Sequence, residues 1–253
     1  MIAMKGTLVD LPAPFRIAGD HVSVDLGGAR ALFTTRRGGS STGPYATLNL
    51  GTTVGLQPAD VLANRRALQD GLKVTLVWAH QVHGTRVMVA DRPAAPAGPA
   101  QEADGQATTA RGMAATVMVA DCLPVAVAGE GAVAMLHAGW RGLAAGIIGE
   151  GVGRLRELGI GGPLSAAIGP GAGPCCYEVG EEVHAAFSAH GAAVRRGRCL
   201  DLRAVAAREL ERAGVHRVHD LGLCTMCSDP SLFFSHRRDG GVTGRQAGLA
   251  WLV

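Results

Sequence analysis

Runs of Val, Ala, Leu and Met alternate along the chain with short clusters rich in Gly, Pro and charge, and most of the apolar runs have strand length. HVSVDLGGARALFTTR (21–36) predicts a strand pair, followed by a Gly-rich loop from Gly38 to Pro44. TLVWAHQ, RVMVA, TVMVA, VAVAG and AVAML then read as a β-rich succession, and VHRVHDL, FFSHRR and QAGLAWLV close the chain as strands. Helical spacing appears between these runs. In PADVLANRRALQDGL, Val61, Leu62, Leu68 and Leu72 make an apolar stripe, with Asp60 near the start. GLAAGIIGEGVGRLREL predicts one helix whose glycines lower its propensity but permit close packing on a sheet. VGEEVHAAFSAHG predicts a helix with Glu181 and Glu182 in an acidic first turn after Gly180, and DLRAVAARELERAG one capped by Asp201. Strands and helices mix without regular βαβ alternation, so the pattern predicts a mixed α/β (α+β) domain. PAAPAGPAQEADG is the one Pro/Ala-rich stretch and predicts a surface loop.

A length of 253 residues suits one layered domain spanning 1–253 with a sizeable core. No apolar run reaches membrane-spanning length, and MIAMKGTLVDLPAPF lacks the apolar stretch of a secretory signal, which predicts a cytoplasmic protein. The net charge of +3 gives no reason to expect a nucleic-acid or membrane partner. Almost all the positive charge is arginine, and no aromatic residues interleave with pairs such as Arg65-Arg66 and Arg195-Arg196, as a single-strand binding groove would need.

The chemistry concentrates in three segments. TLVWAHQVHG reaches His83, ATVMVADC reaches Cys122 and AVAMLHAGWRG reaches His137, each polar group emerging just past an apolar run. Active sites of sheet proteins gather at strand ends. Two imidazoles and a thiolate suit a borderline-soft ion such as zinc, with a fourth tetrahedral position left open for a reactant. The same residues also suit satisfied structural histidines and a small buried thiol.

The six cysteines are irregularly spaced and read as thiols rather than a disulfide framework. Cys224-Thr-Met-Cys227 has the spacing of a redox pair or half a structural zinc site. Cys175 and Cys176 make a poor second half: adjacent residues on extended chain point to opposite sides, so packed or surface thiols are the expectation. The Gly-rich turns match neither a P-loop nor a dinucleotide fingerprint.

FTTRRGGSSTGPYATLNLG, HQVHG, EADGQATT, VMVADCLPVAV, HAGWRGLAAGI, AIGPGAGPCCYEVG and FFSHRRDGGVTGRQAGLAWL occur in an order that resembles the laccase-domain family, once called multicopper polyphenol oxidases. The resemblance runs from about Ala31 to Val253. It implies an α/β/β/α layered sandwich with mixed β-sheets, and a metal held by the His of QVH, the Cys of ADC and the His of HAGWRG, here His83, Cys122 and His137. It also implies a zinc-dependent purine nucleoside phosphorylase cleaving adenosine, inosine or methylthioadenosine with phosphate, with adenosine deaminase activity. Phosphate calls for arginine, whose planar fork matches its oxygens: Arg65 first, then Arg36, Arg141 and Arg245. Asp121 is the candidate proton shuttle or ligand-orienting group, with Cys122 and His137 as further catalytic candidates; Glu178 is a more distant one. His236 stands where many relatives have Tyr, and is not counted as a ligand.

Rival readings remain open on the residues alone. Cys122 and His137 would also serve a metal-independent Cys-His hydrolase, and relatives are linked to hydrolytic editing of peptidoglycan precursors. Copper fits less well, because one His-Cys-His set lacks the histidines of a multicopper centre. A nonenzymatic metal-binding module would use the same ligands. As a working enzyme the chain is expected to be a monomer or small homo-oligomer.

Overall fold

The computed structural model of the chain describes residues 2–4, 7–52, 58–92 and 101–253. A hairpin of β1 (Ile2–Met4) and β2 (Thr7–Val9) precedes two six-stranded mixed sheets. The first holds β3 (Arg16–Ala18), β4 (His21–Asp25), β5 (Ala29–Phe33), β6 (Thr75–Val77), β9 (Met113–Val119) and β16 (Gln246–Leu252), ordered β3-β4-β5-β16-β9-β6. The second holds β7 (Val87–Val89), β8 (Gly105–Thr108), β10 (Leu123–Gly129), β11 (Ala132–Ala138), β12 (Ser165–Ile168) and β15 (Arg217–Asp220), ordered β15-β12-β10-β11-β8-β7. A small ribbon of β13 (Arg195–Arg196) and β14 (Cys199–Leu200) lies apart from both.

The helices cover the outer faces. Helix α1 (Pro58–Leu72) lies over the first sheet, with Leu68 packed among Leu32, Leu76, Leu249 and Trp251. On the second sheet, α2 (Trp140–Ala145), α3 (Ile147–Glu157), α4 (Glu181–Ala186) and α5 (Leu202–Arg212) cover Val125, Val127 and Leu136 with Leu143, Ile148, Leu155, Val183 and Val205. Val24, Phe33, Val117, Val133 and Met135 fill the space between the sheets. The α/β/β/α order expected from the family resemblance is therefore present. Its physical cause shows in β11: alternate residues point to opposite faces, and because both faces are covered all seven of its residues are buried. Among the described residues no helix is long and apolar enough to cross a membrane.

Several local expectations change. Leu62 does not join the buried stripe of α1 but is 54% exposed, while Asn64 is buried, donating to Ser41 Oγ and to the carbonyls of Thr47 and Asn49. That helix face pins the Gly-rich loop instead of filling apolar core. The single helix expected over 142–158 breaks at Gly146, whose left-handed φ of +98° ends α2 and starts α3. The helix after Gly180 lasts only through Ala186, whereas Asp201 caps α5 by accepting from Ala204 N, a contact worth ~1 kcal/mol. FFSHRR forms no strand. Phe234 exchanges both backbone groups with the Gln246 side-chain amide, and Ser235 and Asp239 then close a turn. Of the Pro/Ala-rich loop, residues 93–100 lie outside the described residues.

Candidate metal centre and active site

The three sequence-predicted ligands meet where the two sheets exchange chain. Strand β6 pairs parallel to β9 only through Val77. Beyond it the Gln81 amide takes over as a surrogate strand, donating to Met118 O and accepting from Met118 N at 2.8 Å each. This carries the backbone to His83, which adopts φ +61°. Cys122 occupies the crossing from β9 to β10, turned there by Asp121 at φ +87°. Positive φ is costly for a residue with a Cβ, and its presence at both positions marks a backbone bent for side-chain placement. His137 lies within β11, opposite Pro124, rather than past the strand end.

Asp104, which the sequence reading missed, organises the group. Its fully buried carboxylate accepts from the N–H groups of Val82, His83 and Gly84 at 3.1, 2.9 and 2.7 Å, and sits 2.7 Å from His137 Nδ1. One side chain thus fixes the loop carrying the first histidine and the ring of the second. With Nδ1–H donated to Asp104, His137 presents Nε2 as a lone-pair donor, the second-sphere arrangement that orients metal-bound imidazoles. The His83 and His137 ring centroids are 4.8 Å apart and near perpendicular, and Cys122 Sγ lies 3.9 Å from His83 Nε2. The donor atoms of His83, Cys122 and His137 all lie within 4.8 Å of one another, close enough to share one ion. Gly139 makes the approach feasible: a Cβ there would come within 2.9 Å of Cys122 Sγ and 3.1 Å of His83 Cδ2.

The charge states suit ligation. Burial pushes the Cys122 thiol up, but His137 and then His83 override it and hold its pKa at about 6. Burial likewise lowers His137, but Cys122 and Asp104 bring it up to about 9. Burial opposes the Asp104 charge too, yet His137 and the Gly84 and Val82 amides keep its pKa below the ordinary carboxylate value. Both shifts run toward a thiolate beside a protonated ring, whose proton metal binding would displace.

The ligands line a cavity of about 420 Å³ that also reaches Arg65, Trp78, Tyr177, His236, Arg237 and Arg245. Two of the four arginines expected to hold phosphate are thus at the pocket. Arg65 stacks on Trp78 at 3.9 Å and donates to Leu50 O; burial lowers its pKa to about 10, and no carboxylate is among its hydrogen-bond partners. Arg245 donates to Thr243 O and Gly244 O, and burial lowers its pKa against the opposing pull of Cys122 and Asp121. Arg36 is instead spent on the carbonyls of Ala46 and Pro230 and on the Phe234 ring, away from the pocket lining. Arg141 stacks on Trp140 in a neighbouring groove, where Glu178 also lies, ion-paired to Arg198.

Asp121 lines the pocket, but both its oxygens are engaged, by Thr225 Oγ1 at 2.6 Å and Arg237 N at 2.7 Å. Its geometry is that of a brace. Arg237, also missed, reaches Glu178 O and the Tyr177 ring and so ties the two pocket walls together. A polar run such as HRRD offered no signal to separate it from a solvated turn. His236 lines the rim and stands outside the ligand group.

The adjacent cysteines correct an expectation. Residues 174–176 form a turn rather than extended chain, so Cys175 and Cys176 point to the same side, their sulfurs 3.4 Å apart. Cys227 Sγ lies 3.3 Å from Cys175 and Cys224 Sγ 3.4 Å from Cys176, all four thiols being free.

Residues 30–253 match the family described as multi-copper polyphenol oxidoreductase laccase. A purine nucleoside phosphorylase of Pseudomonas aeruginosa is 40% identical over 96% of both chains, and one of Escherichia coli is 37% identical over 89% of this chain and 95% of that one. Among solved structures, the hypothetical protein YfiH of Bacillus licheniformis superposes with a TM-score of 0.81 at 30% identity, covering 96% of this chain and all 100% of that one. YlmD of Geobacillus stearothermophilus gives 0.79 at 34% identity over 89% and 92%. With the ligand triad, its cavity and the layered fold in place, the match over most of the chain makes this protein a member of the multi-copper polyphenol oxidoreductase laccase family.

Proposed function

We propose that the chain is a zinc-dependent purine nucleoside phosphorylase that also deaminates adenosine. The carrying observation is the conjunction, in one cavity, of a three-residue group able to hold a metal with two arginines whose hydrogen bonds go to backbone carbonyls rather than to carboxylates. A half-buried guanidinium with no carboxylate hydrogen-bonded to it has donors to spare for an anionic ligand. Relatives named purine nucleoside phosphorylase, such as that of Pseudomonas aeruginosa, support the same substrates.

In phosphorolysis a phosphate oxygen forms a bond to the ribose anomeric carbon while the glycosidic C–N bond breaks, its electron pair leaving with the purine. Arg65 and Arg245 would hold the phosphate by paired N–H donors and neutralise charge as it approaches. Trp78 and Tyr177 offer aromatic faces to the flat base. His83, Cys122 and His137 would hold the ion, which when bound would supply Lewis acidity to a reactant in the cavity. Asp104 keeps His137 from turning, and Asp121 keeps the Thr225 and Arg237 walls at fixed separation. Deamination at the purine six-position would use the same pocket, with water replacing the amino group and ammonia released. Free cysteines throughout suit the reducing cytoplasm.

The decisive assay supplies purified protein with inosine or adenosine, with and without phosphate, before and after chelation and zinc re-addition. Phosphate-dependent ribose 1-phosphate that vanishes on chelation and returns with zinc is expected, with ammonia from adenosine as a parallel product. Free ribose formed equally well without phosphate would overturn the reading. The thiolate–imidazolium pair of Cys122 and His137 favours one competitor, a metal-independent cysteine hydrolase acting on a peptidoglycan precursor or another substrate. Chelator-resistant hydrolysis abolished by thiol alkylation would establish that competitor.

A further inference from the structure

We propose that Cys175, Cys176, Cys224 and Cys227 form a second metal site, a closed tetrathiolate that takes a soft or borderline divalent ion such as zinc and acts structurally. The four sulfurs lie within 4.8 Å of one another, and three of their separations are 3.3 to 3.4 Å. A zinc tetrathiolate with bonds of about 2.3 Å has sulfur–sulfur edges of about 3.8 Å, so small adjustments would enclose an ion. The spacings are far too long for a disulfide at about 2.05 Å.

The backbone and the surroundings point the same way. Gly173 N–H donates to Cys224 Sγ at 3.2 Å, the kind of amide–sulfur contact that stabilises a ligating thiolate. The spot is tight: a Cβ would meet Arg203 Nη2 at 3.0 Å, Cys175 Sγ at 3.1 Å and Cys224 Cβ at 3.1 Å. Arg203 is therefore packed beside the cluster, and its Nη1 is buried with no hydrogen-bond partner. Four thiolates on a divalent ion carry net negative charge, and this guanidinium is placed to offset it.

Four protein sulfurs complete a tetrahedron and leave no position for substrate, which makes the site structural. Its position gives it a task. Thr225, inside the C-x-x-C turn, donates to Asp121 Oδ1; Ala172 N donates to Asp121 O, and Tyr177 directly follows the Cys175-Cys176 pair. An ion here would clamp the chain around 171–177 to that around 221–228, fixing one wall of the cavity.

The test needs no enzymatic activity. Full-length protein from zinc-supplemented cells, purified without chelator, is expected to hold about two zinc ions per chain by elemental analysis, falling to about one in His83→Ala and to about one in Cys227→Ser. Should Cys227→Ser fail to fold, wild-type protein and the variants of the first centre decide. Its cobalt form is expected to show intense thiolate-to-metal charge transfer that persists in Cys122→Ser, and thiol reagents should find the four cysteines protected until the metal is removed. A wild-type chain holding about one ion, lost entirely in His83→Ala, would overturn the proposal, as would a disulfide within the quartet.

Discussion

The two thiol-bearing centres use neighbouring stretches of the same chain to opposite ends. The His83, Cys122 and His137 group offers three ligand atoms, drawn from the loop after β6, the crossing from β9 to β10 and strand β11, and opens on a cavity lined by cationic and aromatic side chains. The cysteine quartet draws all four ligands from two turns and has its own arginine packed against it. In the proposed assignments, ligand count alone separates a centre that reacts from one that clamps. The way each is held differs as well: the first depends on a buried carboxylate, Asp104, that hydrogen-bonds one ring and ties down the loop bearing the other, while the second depends on local turn geometry. Thr225 and Asp121 join them, so the clamp and the reactive centre share a wall.

The sharpest way to break this contrast is to remove one sulfur from each side. Cys122→Ser is expected to cost on the order of 10³-fold or more in phosphorolysis while leaving the cysteine quartet's metal bound, read by turnover and elemental analysis together. Asp104→Asn keeps the shape of the carboxylate but loses its charge. It should weaken zinc binding at the first centre by roughly 10- to 100-fold, measured by competition with a chelating dye. Equal loss of metal from both centres would show that Asp104 merely holds the fold together. Arg65→Lys keeps the positive charge but loses the planar fork and the Trp78 stack. It should raise the KM for phosphate roughly tenfold with little change in kcat, and an unchanged KM would place phosphate elsewhere in the cavity.

The same contrast explains what the sequence disclosed. That His83, Cys122 and His137 come together was legible because each follows an apolar run that had to be buried and because the QVH, ADC and HAGWRG motifs carry the family resemblance. Helix α1 was legible to its bounds, although Asn64 rather than Leu62 shares its buried face with Val61 and Leu68. Asp104 was not: its role depends on three amides 20 to 22 residues earlier and a ring 33 residues later, none of which leaves a local trace. The quartet was not legible, because adjacent cysteines on extended chain diverge and only the turn at 174–176 brings Cys175 and Cys176 to one side. FFSHRR has strand composition, but Gln246 satisfies the Phe234 backbone from the side, so no neighbouring strand is needed. Side-chain amides replacing backbone partners, here and at Gln81, leave no periodic signature.

The smallest expected effect concerns the metal-free protein and tests whether the reactive centre is an ion pair when empty. His137 is raised from 6.5 to about 9, so its contribution to stability is fully present below pH 6.5 and fades as pH rises through about 9. Cys122 is lowered from 9.0 to about 6, so its contribution is present above pH 9.0 and fades as pH falls through about 6. Both charges coexist only between those limits. Across that window the imidazolium's contribution falls while the thiolate's rises by a similar amount, so the Tm of chelated wild-type protein should stay nearly level between about pH 6 and about pH 9. In chelated Cys122→Ser only the imidazolium's contribution remains, so Tm should fall as pH rises through the range in which His137 loses its proton, a range moved lower because Asp104 alone then raises it. Differential scanning at a series of pH values separates these curves. A wild-type profile that Cys122→Ser leaves unchanged would mean that the thiol is protonated in the empty site and that ligation itself drives off its proton.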